Sequence, residues 1–95
     1  MDVGTIKLYT GATCSACTTL KNRLAHLNLD KAYTECDTAQ QEHKDAIVAL
    51  GHRSIPVLVR YVNGKAVDSI NGSVHTDSEL WDFFTFKYTM ELKHA

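Results

Sequence analysis

Two cysteines separated by two residues are the side chains of this chain best suited to chemistry. Cys14 and Cys17 follow a short apolar segment and directly precede a helical pattern, so the first thiol is expected to cap a helix. The unpaired N–H groups and the dipole at a helix N-terminus favour a thiolate over a thiol. Because the thiolate is the form that attacks a disulfide, the position of the motif predicts a pair that cycles between dithiol and disulfide.

In the predicted reaction, Cys14 is the nucleophile that attacks a substrate disulfide and forms a mixed disulfide. Cys17, one helical turn later, then resolves this intermediate and leaves both cysteines oxidised. We expect the Thr13 hydroxyl and the helix amides to stabilise the thiolate. Ser15 and Ala16 are small, so the Cys14 sulfur should be open to a bulky partner.

Metal binding and two inert buried thiols are the alternative interpretations of this pair. A lone Cys-x-x-Cys supplies two of the four ligands that zinc usually takes, so Cys36 and a histidine would have to complete the site. Cys36 lies in the middle of a predicted strand with an apolar context, where a small buried side chain is the expected role. We therefore favour the redox interpretation and expect no metal.

The elements that must position the pair follow from hydrophobic periodicity and turn residues. The predicted strands cover residues 5–10, 32–37, 55–62 and 65–70, and the predicted helices cover residues 17–27, 40–50 and 78–92. Asp37 or Thr38 is expected to cap the second helix. For the third helix, the candidate caps are Thr76, Asp77 and Ser78. The β-α-β-α-β-β-α order predicts a parallel first strand pair, through a right-handed crossover, and an antiparallel last pair.

Length and composition restrict the classes of protein that fit. The 95 residues are expected to form one domain, and 44% apolar with 22% charged residues is ordinary for a globular protein. A net charge of −1 provides no basic field for nucleic acid, and no apolar run approaches the ~20 residues of a membrane span. Three cysteines, and a first segment that lacks the features of a secretory signal, indicate a cytoplasmic protein. We expect a monomer.

The element order, the cysteine pair at the first strand–helix junction and Pro56 at the start of the third strand resemble the minimal thioredoxin fold. Within that fold the chain resembles the glutaredoxins and the related NrdH-type redoxins. The most specific segments are Leu8-Tyr9-Thr10 leading to the cysteine pair, Gly51-His52-Arg53-Ser54-Ile55-Pro56-Val57-Leu58-Val59, and Asn63-Gly64-Lys65. The resemblance implies an α/β fold in which three helices flank a four-stranded mixed sheet.

The resemblance also implies a substrate site beside the cysteines, formed in part by residues 53–56. Pro56 would follow a cis peptide bond, which costs little only before proline. The Ile55 backbone would pair in the manner of a strand with the cysteinyl part of a thiol substrate. Ser54 belongs to the same segment. Arg53 is either a surface residue or a partner for a substrate carboxylate.

A second implied part of the site is the loop that follows the fourth strand. In the glutaredoxins, a glycine-containing turn at this place holds the γ-glutamyl end of glutathione, and Gly72 with Ser73 corresponds to it here. Asp77 has two candidate roles: contact with the amino group of the substrate, or capping of the last helix.

The implied function is that of a glutaredoxin-like enzyme that reduces protein disulfides or glutathione mixed disulfides, with glutathione as cosubstrate and no tightly bound cofactor. The chain departs from that pattern at Gly11, where glutaredoxins usually carry Lys, and between the cysteines, where they favour Pro-Tyr. One alternative is an NrdH-redoxin-like donor to a protein such as ribonucleotide reductase, itself reduced by the flavoprotein thioredoxin reductase. The other is a non-enzymatic protein that shares an iron–sulfur cluster between two copies.

Overall fold

The computed structural model describes residues 4–85, which fold into a four-stranded mixed sheet with helices on both faces. The predicted β-α-β-α-β-β-α order is confirmed. The elements are β1 (Thr5–Thr10), α1 (Ser15–His26), β2 (Thr34–Asp37), α2 (Gln41–Ala49), β3 (Val57–Val62), β4 (Lys65–Asn71) and α3 (Asp77–Phe84), with a 3₁₀ turn at Gly72–Val74. The predicted continuation of the last helix over residues 86–92 lies outside the described residues. Every helix in the described range is too short or too polar to span a bilayer.

The sheet has the strand order β2-β1-β3-β4. As predicted, β1 and β2 are parallel, and β3 is antiparallel to β4; β3 is also antiparallel to β1. The β3–β4 turn is Asn63-Gly64, with φ of 53° and 80°. Positive φ at both central positions is what a type I′ hairpin requires, and this dipeptide tolerates it. In the strand order β2-β1-β3-β4, β1 is a central strand, and its C-terminal end leads directly into residues 11–14, the last of which is Cys14.

Alternation along the strands directs side chains into two cores on opposite faces of the sheet. One core packs against α1 and α3 and contains Ile6, Leu8, Leu20, Leu24, Leu29, Leu58, Ile70, Leu80, Phe83 and Phe84. The other packs against α2 and contains Tyr9, Cys36, Ile47, Val57 and Val59. The buried role predicted for Cys36 is confirmed: the residue is 5% exposed, and burial raises the pKa of its thiol.

Several predicted boundaries differ from the structure for identifiable reasons. β2 begins two residues late because the Ala32 N–H donates to the Leu29 carbonyl in a turn. β3 also begins two residues late, since Pro56 has no N–H to contribute to a strand ladder. α1 begins two residues early because Cys14 is its N-cap.

Two of the predicted helix caps are wrong. Gln40, not Asp37 or Thr38, is the N-cap of α2, and it makes no capping hydrogen bond through its side chain. The Asp37 carboxylate instead accepts from the Ala39 N–H, and the Thr38 hydroxyl donates to the Thr10 carbonyl, so both candidate caps bond elsewhere.

The cap of α3 is Thr76, one of the three predicted candidates. Its hydroxyl accepts from the Glu79 N–H at 3.2 Å, and the Glu79 carboxylate accepts from the Thr76 N–H at 2.8 Å. This reciprocal capping box satisfies two backbone donors at the start of the helix. Asp77 and Ser78 are therefore not the cap.

Candidate active site

The cysteine pair lies at the junction of β1 and α1, where the sequence placed it. Cys14 has an extended backbone (φ −108°, ψ 103°) and is the N-cap of α1, whose first turn contains Cys17. The two residues form a disulfide, with their Cα atoms 5.2 Å apart. The geometry therefore allows the pair to exist in the oxidised form that the predicted cycle requires.

The Cys14 sulfur is held by the backbone of the helix that it caps. The Cys17 N–H donates to Cys14 Sγ at 3.1 Å. The first turn of α1 contains no acidic side chain, so no like charge opposes a negative sulfur there. In the reduced protein the same N–H and the helix dipole would favour a thiolate on Cys14.

The two cysteines differ sharply in exposure. Cys17 is 1% exposed, whereas Cys14 is partly exposed and is flanked by exposed Ser15 and Ala16. A substrate can therefore reach the first sulfur but not the second, which matches the predicted roles of nucleophile and resolving thiol. Thr13 is also exposed, and within residues 4–85 its hydroxyl makes no hydrogen bond to the Cys14 sulfur.

The segment before β3 faces the sulfur as predicted. The Ile55–Pro56 peptide bond is cis, and the Ile55 carbonyl oxygen lies 4.0 Å from Cys14 Sγ. Ile55 is half-buried and lies outside the strand ladder, whereas Pro56 is buried. The backbone of Ile55 is therefore placed next to the reacting atom.

Ser54, Gly72 and Ser73 come together on one side of this segment through a residue that the sequence analysis missed. The Asn71 side-chain amide donates to the Ser54 hydroxyl at 3.0 Å, and its oxygen accepts from the Ser73 N–H at 2.9 Å. The Gly72 N–H donates to the Pro56 carbonyl at 3.0 Å. The loop of residues 71–76, called the 71–76 loop below, is thus attached to residues 54–56. Asparagine bonds its own backbone two residues on in many turns, and this property could have identified Asn71.

Gly72 also contacts α1, the helix that begins at the cysteine pair. A Cβ atom at Gly72 would collide with the Leu20 side chain of α1, so a larger residue here would force the buried Leu20 side chain to shift. Gly72 is buried, and it brings the 71–76 loop against the helix that contains Cys17.

Asp77 binds an arginine on α1 instead of capping its helix. Arg23 Nε lies 2.9 Å from Asp77 Oδ1, and Arg23 Nη2 lies 2.7 Å from the same oxygen. Arg23 Nη2 also donates to the His75 carbonyl at 2.7 Å. Of its two candidate roles, the capping of α3 is wrong, because Thr76 provides the cap.

Arg53 lies at a cavity of about 330 Å³ beside Ile55. Its lining combines apolar side chains with the cations of Lys44 and Arg53, both on exposed residues. Within residues 4–85, neither cation forms an ion pair. The cavity can therefore accept a negatively charged group without first breaking a salt bridge.

Gly11 is covered by the side chain of Ile55. A Cβ atom at Gly11 would lie 2.8 Å from Ile55 Cδ1, so a larger residue would require that side chain to move. The space in which a glutaredoxin lysine would begin is occupied here by an apolar group.

A carboxylate on β2 connects β1 with α1, the two elements between which Cys14 lies. Glu35 Oε2 accepts from Thr10 Oγ1 at 2.8 Å and from Lys21 Nζ at 3.1 Å. Thr10 ends β1 and Lys21 lies on α1, so one oxygen fixes both ends of the segment that contains the cysteines. These hydrogen bonds, that of Thr10 above all, lower the pKa of Glu35. No local pattern in the sequence predicts this set.

The sheet order, the three helices of the described range and the capped cysteine pair define a protein of the thioredoxin fold. The solved structures that resemble it include a point mutant of thioredoxin from Halobacterium salinarum NRC-1, at 21% identity and a TM-score of 0.64, covering 88% of this chain and 74% of that one. A point mutant of the thioredoxin-like protein BC3987 matches at 22% identity and a TM-score of 0.61, covering 83% of this chain and 97% of that one. Plasmodium falciparum thioredoxin matches at 18% identity and a TM-score of 0.60, over 86% and 83% of the two chains.

These likenesses establish the fold, and at such identities they extend no further. No family model matches the chain, and no curated protein matches its sequence. Within residues 4–85, no group of three or more His, Cys, Asp or Glu side chains could hold a metal ion.

Proposed function

We propose that this protein is a dithiol–disulfide oxidoreductase in which Cys14 is the nucleophile and Cys17 the resolving thiol. The observation that carries the proposal is the asymmetry of the pair. The sulfur of the partly exposed Cys14 accepts a helix N-terminal N–H, whereas Cys17 is almost fully buried. The same reaction is supported by the fold, which solved thioredoxins share, together with the position of the pair at the start of α1.

The proposed reaction transfers two electrons to the substrate. The Cys14 thiolate attacks one sulfur of the substrate disulfide, forms a mixed disulfide and expels the other sulfur as a thiolate. Cys17 loses its proton and attacks Cys14 Sγ, which forms the internal disulfide and releases the second substrate thiolate. The internal disulfide is then reduced by two thiols of the electron donor, which become a disulfide themselves.

For the electron donor we propose glutathione, used as a cosubstrate without a tightly bound cofactor. The backbone of Ile55 lies beside Cys14 Sγ and outside the ladder, which suits the cysteinyl part of glutathione. The cations of Lys44 and Arg53 line a cavity next to it, which suits a carboxylate. Gly72 and Ser73 lie on the other side of the same segment.

The test is a coupled assay with glutathione, glutathione reductase and a small glutathione mixed disulfide. We expect turnover by the wild-type protein, none by C14S, and unchanged turnover by C36S, because Cys36 is buried in the core beneath α2. Absence of turnover by the pure wild-type protein would count against glutathione as donor. Full activity in C14S would contradict the dithiol mechanism itself.

A second candidate donor is thioredoxin reductase, as in the NrdH-type redoxins. The observation that favours it is the contact between Gly11 and Ile55. Glutaredoxins usually carry Lys at this position, and here a larger residue would require the Ile55 side chain to move. In this version the substrates are protein disulfides, ribonucleotide reductase being one candidate. Reduction of the internal disulfide by thioredoxin reductase and NADPH without glutathione would establish it. The cytoplasmic location and the monomeric state stay predictions.

A further inference from the structure

We propose that Arg23 is a positioning residue that holds the end of the 71–76 loop against α1 and thereby fixes that loop beside the proposed substrate site. The inference rests on the proposed oxidoreductase function and assigns to it a residue that does not touch the cysteines. Arg23 Nη2 donates to the His75 carbonyl at 2.7 Å, and Arg23 Nε donates to the Asp77 carboxylate at 2.9 Å. One guanidinium thus binds the last part of the loop and the first turn of α3.

The same side of α1 contacts the loop at both of its ends. Cys17, Leu20 and Arg23 follow one another at a spacing of three residues, which places them along one side of a helix. Leu20 packs against Gly72 near the start of the loop, and Arg23 bonds to His75 near its end. The helix that positions the cysteines therefore also positions the loop.

The opposite side of the loop is attached to the segment that faces the sulfur. Gly72 donates to the Pro56 carbonyl, and Asn71 donates to Ser54. In the proposed function, a substrate that binds beside Ile55 also contacts this loop at Gly72 and Ser73. Without Arg23, the loop keeps its attachment to residues 54–56 and its packing on Leu20 but loses its polar contacts with α1, so its end at His75 is no longer held against the helix.

Arginine suits this role better than lysine would. Its planar guanidinium directs several N–H groups at fixed angles and can bind a carbonyl and a carboxylate at once, whereas an ammonium is a single point of charge. The side chain is 28% exposed and that of Asp77 is 62% exposed, so solvent screens the ion pair, and the effect of its loss should be modest.

The experiment compares R23M, R23K and D77N with wild-type protein in steady-state kinetics on a glutathione mixed disulfide. We expect R23M to raise KM about threefold to tenfold, the range that corresponds to the net loss of one ordinary, solvent-screened hydrogen bond, with a smaller change in kcat. R23K and D77N should give intermediate values. The matched control is K65M, which removes an exposed cation of β4 that forms no ion pair within residues 4–85 and should leave KM near that of the wild type.

Two further measurements separate positioning from a general loss of structure. The rate at which iodoacetamide alkylates reduced Cys14, measured against pH, should be the same in R23M and wild type, because the donor to its sulfur is the Cys17 N–H. Amide hydrogen exchange should become faster at Thr76, which lies between the two partners of Arg23, but not at Cys17 or at Gly72, whose bond to the Pro56 carbonyl remains.

An unchanged KM in a folded R23M protein would overturn the inference, as would a rise of the same size in K65M. A fall in Cys14 alkylation with no change in KM would also overturn it, since Arg23 would then act on the thiol. If R23M does not fold, R23K and D77N decide the question, and an unchanged KM in both overturns it. A wild-type protein that reduces no disulfide would instead refute the proposed function, and this inference with it.

Discussion

Substitution of Gly72 by alanine tests whether the 71–76 loop packs against α1 as tightly as the structure indicates. The added Cβ would meet the Leu20 side chain, while the backbone conformation of Gly72 requires no positive φ. The cost is therefore steric. Overpacking of a well-packed site typically costs about 1–3 kcal/mol of unfolding free energy. For a domain of this length, that corresponds to a fall in Tm of roughly 4–24 °C, measured by circular dichroism or calorimetry.

The steric origin of this cost is tested by a double-mutant cycle with Leu20. A second glycine, constrained by its backbone conformation and not by a neighbouring side chain, is the control. Shortening Leu20 to valine should cost about 1 kcal/mol alone and should recover part of the loss in G72A, with a coupling of about 1 kcal/mol or more. G51A is the control. Gly51 has a φ of +88° and no neighbouring atom within 4 Å, so alanine there costs about 1–2 kcal/mol through backbone strain, and L20V should not relieve it. A G72A protein as stable as wild type, or one that L20V destabilises additively, would refute the reasoning.

Three other outcomes follow from the site. C17S should stop at the mixed disulfide and accumulate a covalent adduct detectable by mass spectrometry; a free C17S protein after incubation with substrate would argue against Cys17 as the resolving thiol. The pKa of Glu35 is lowered from 4.5, so its carboxylate stabilises the fold above that pH and the contribution is lost as pH falls further. Chemical denaturation of E35Q should therefore show a shallower loss of stability toward acid, and an acid limb as steep as that of wild type would contradict this. R53Q should raise KM about twofold to fivefold for a carboxylate-bearing mixed disulfide but not for an uncharged disulfide, whereas K65Q on β4 should change neither.

The sequence alone predicted those structural features that depend on residues close together in the chain. The spacing of Cys14 and Cys17, the alternation in β1 and the Asn63-Gly64 turn are all local, and each is confirmed. The parallel β1–β2 pair followed from the right-handed crossover and the antiparallel β3–β4 pair from the hairpin, whereas the pairing of β3 with β1, which completes the strand order, was not predicted. The predicted cap of α2 was wrong because it depends on a distant residue: the Thr38 hydroxyl donates to the carbonyl of Thr10, at the end of β1.

Charged residues show most clearly where sequence reasoning ended. A helical or strand pattern separates apolar from polar side chains, but it does not indicate whether a polar one faces solvent or another element. Arg60 lies in β3, whose sequence is otherwise strongly apolar, and the residue is fully buried with its guanidinium carbon 5.0 Å from the centroid of the Phe83 ring. Burial lowers the pKa of Arg60, and the charge of Asp68 on the neighbouring strand opposes that shift.

Arg23 illustrates the same difficulty with a functional consequence. Nothing in the local sequence distinguishes it from a solvent-facing cation, yet it bonds to His75 and Asp77, which lie 52 and 54 residues further along the chain. Contacts at such separations depend on how α1 and the 71–76 loop pack, and no short pattern encodes them. Because the cysteine spacing locates the chemistry while these contacts position what surrounds it, substitution of Arg23 should alter substrate binding more than thiol reactivity. That difference is measurable as a change in KM at constant alkylation rate, and it separates the two kinds of information that the chain carries.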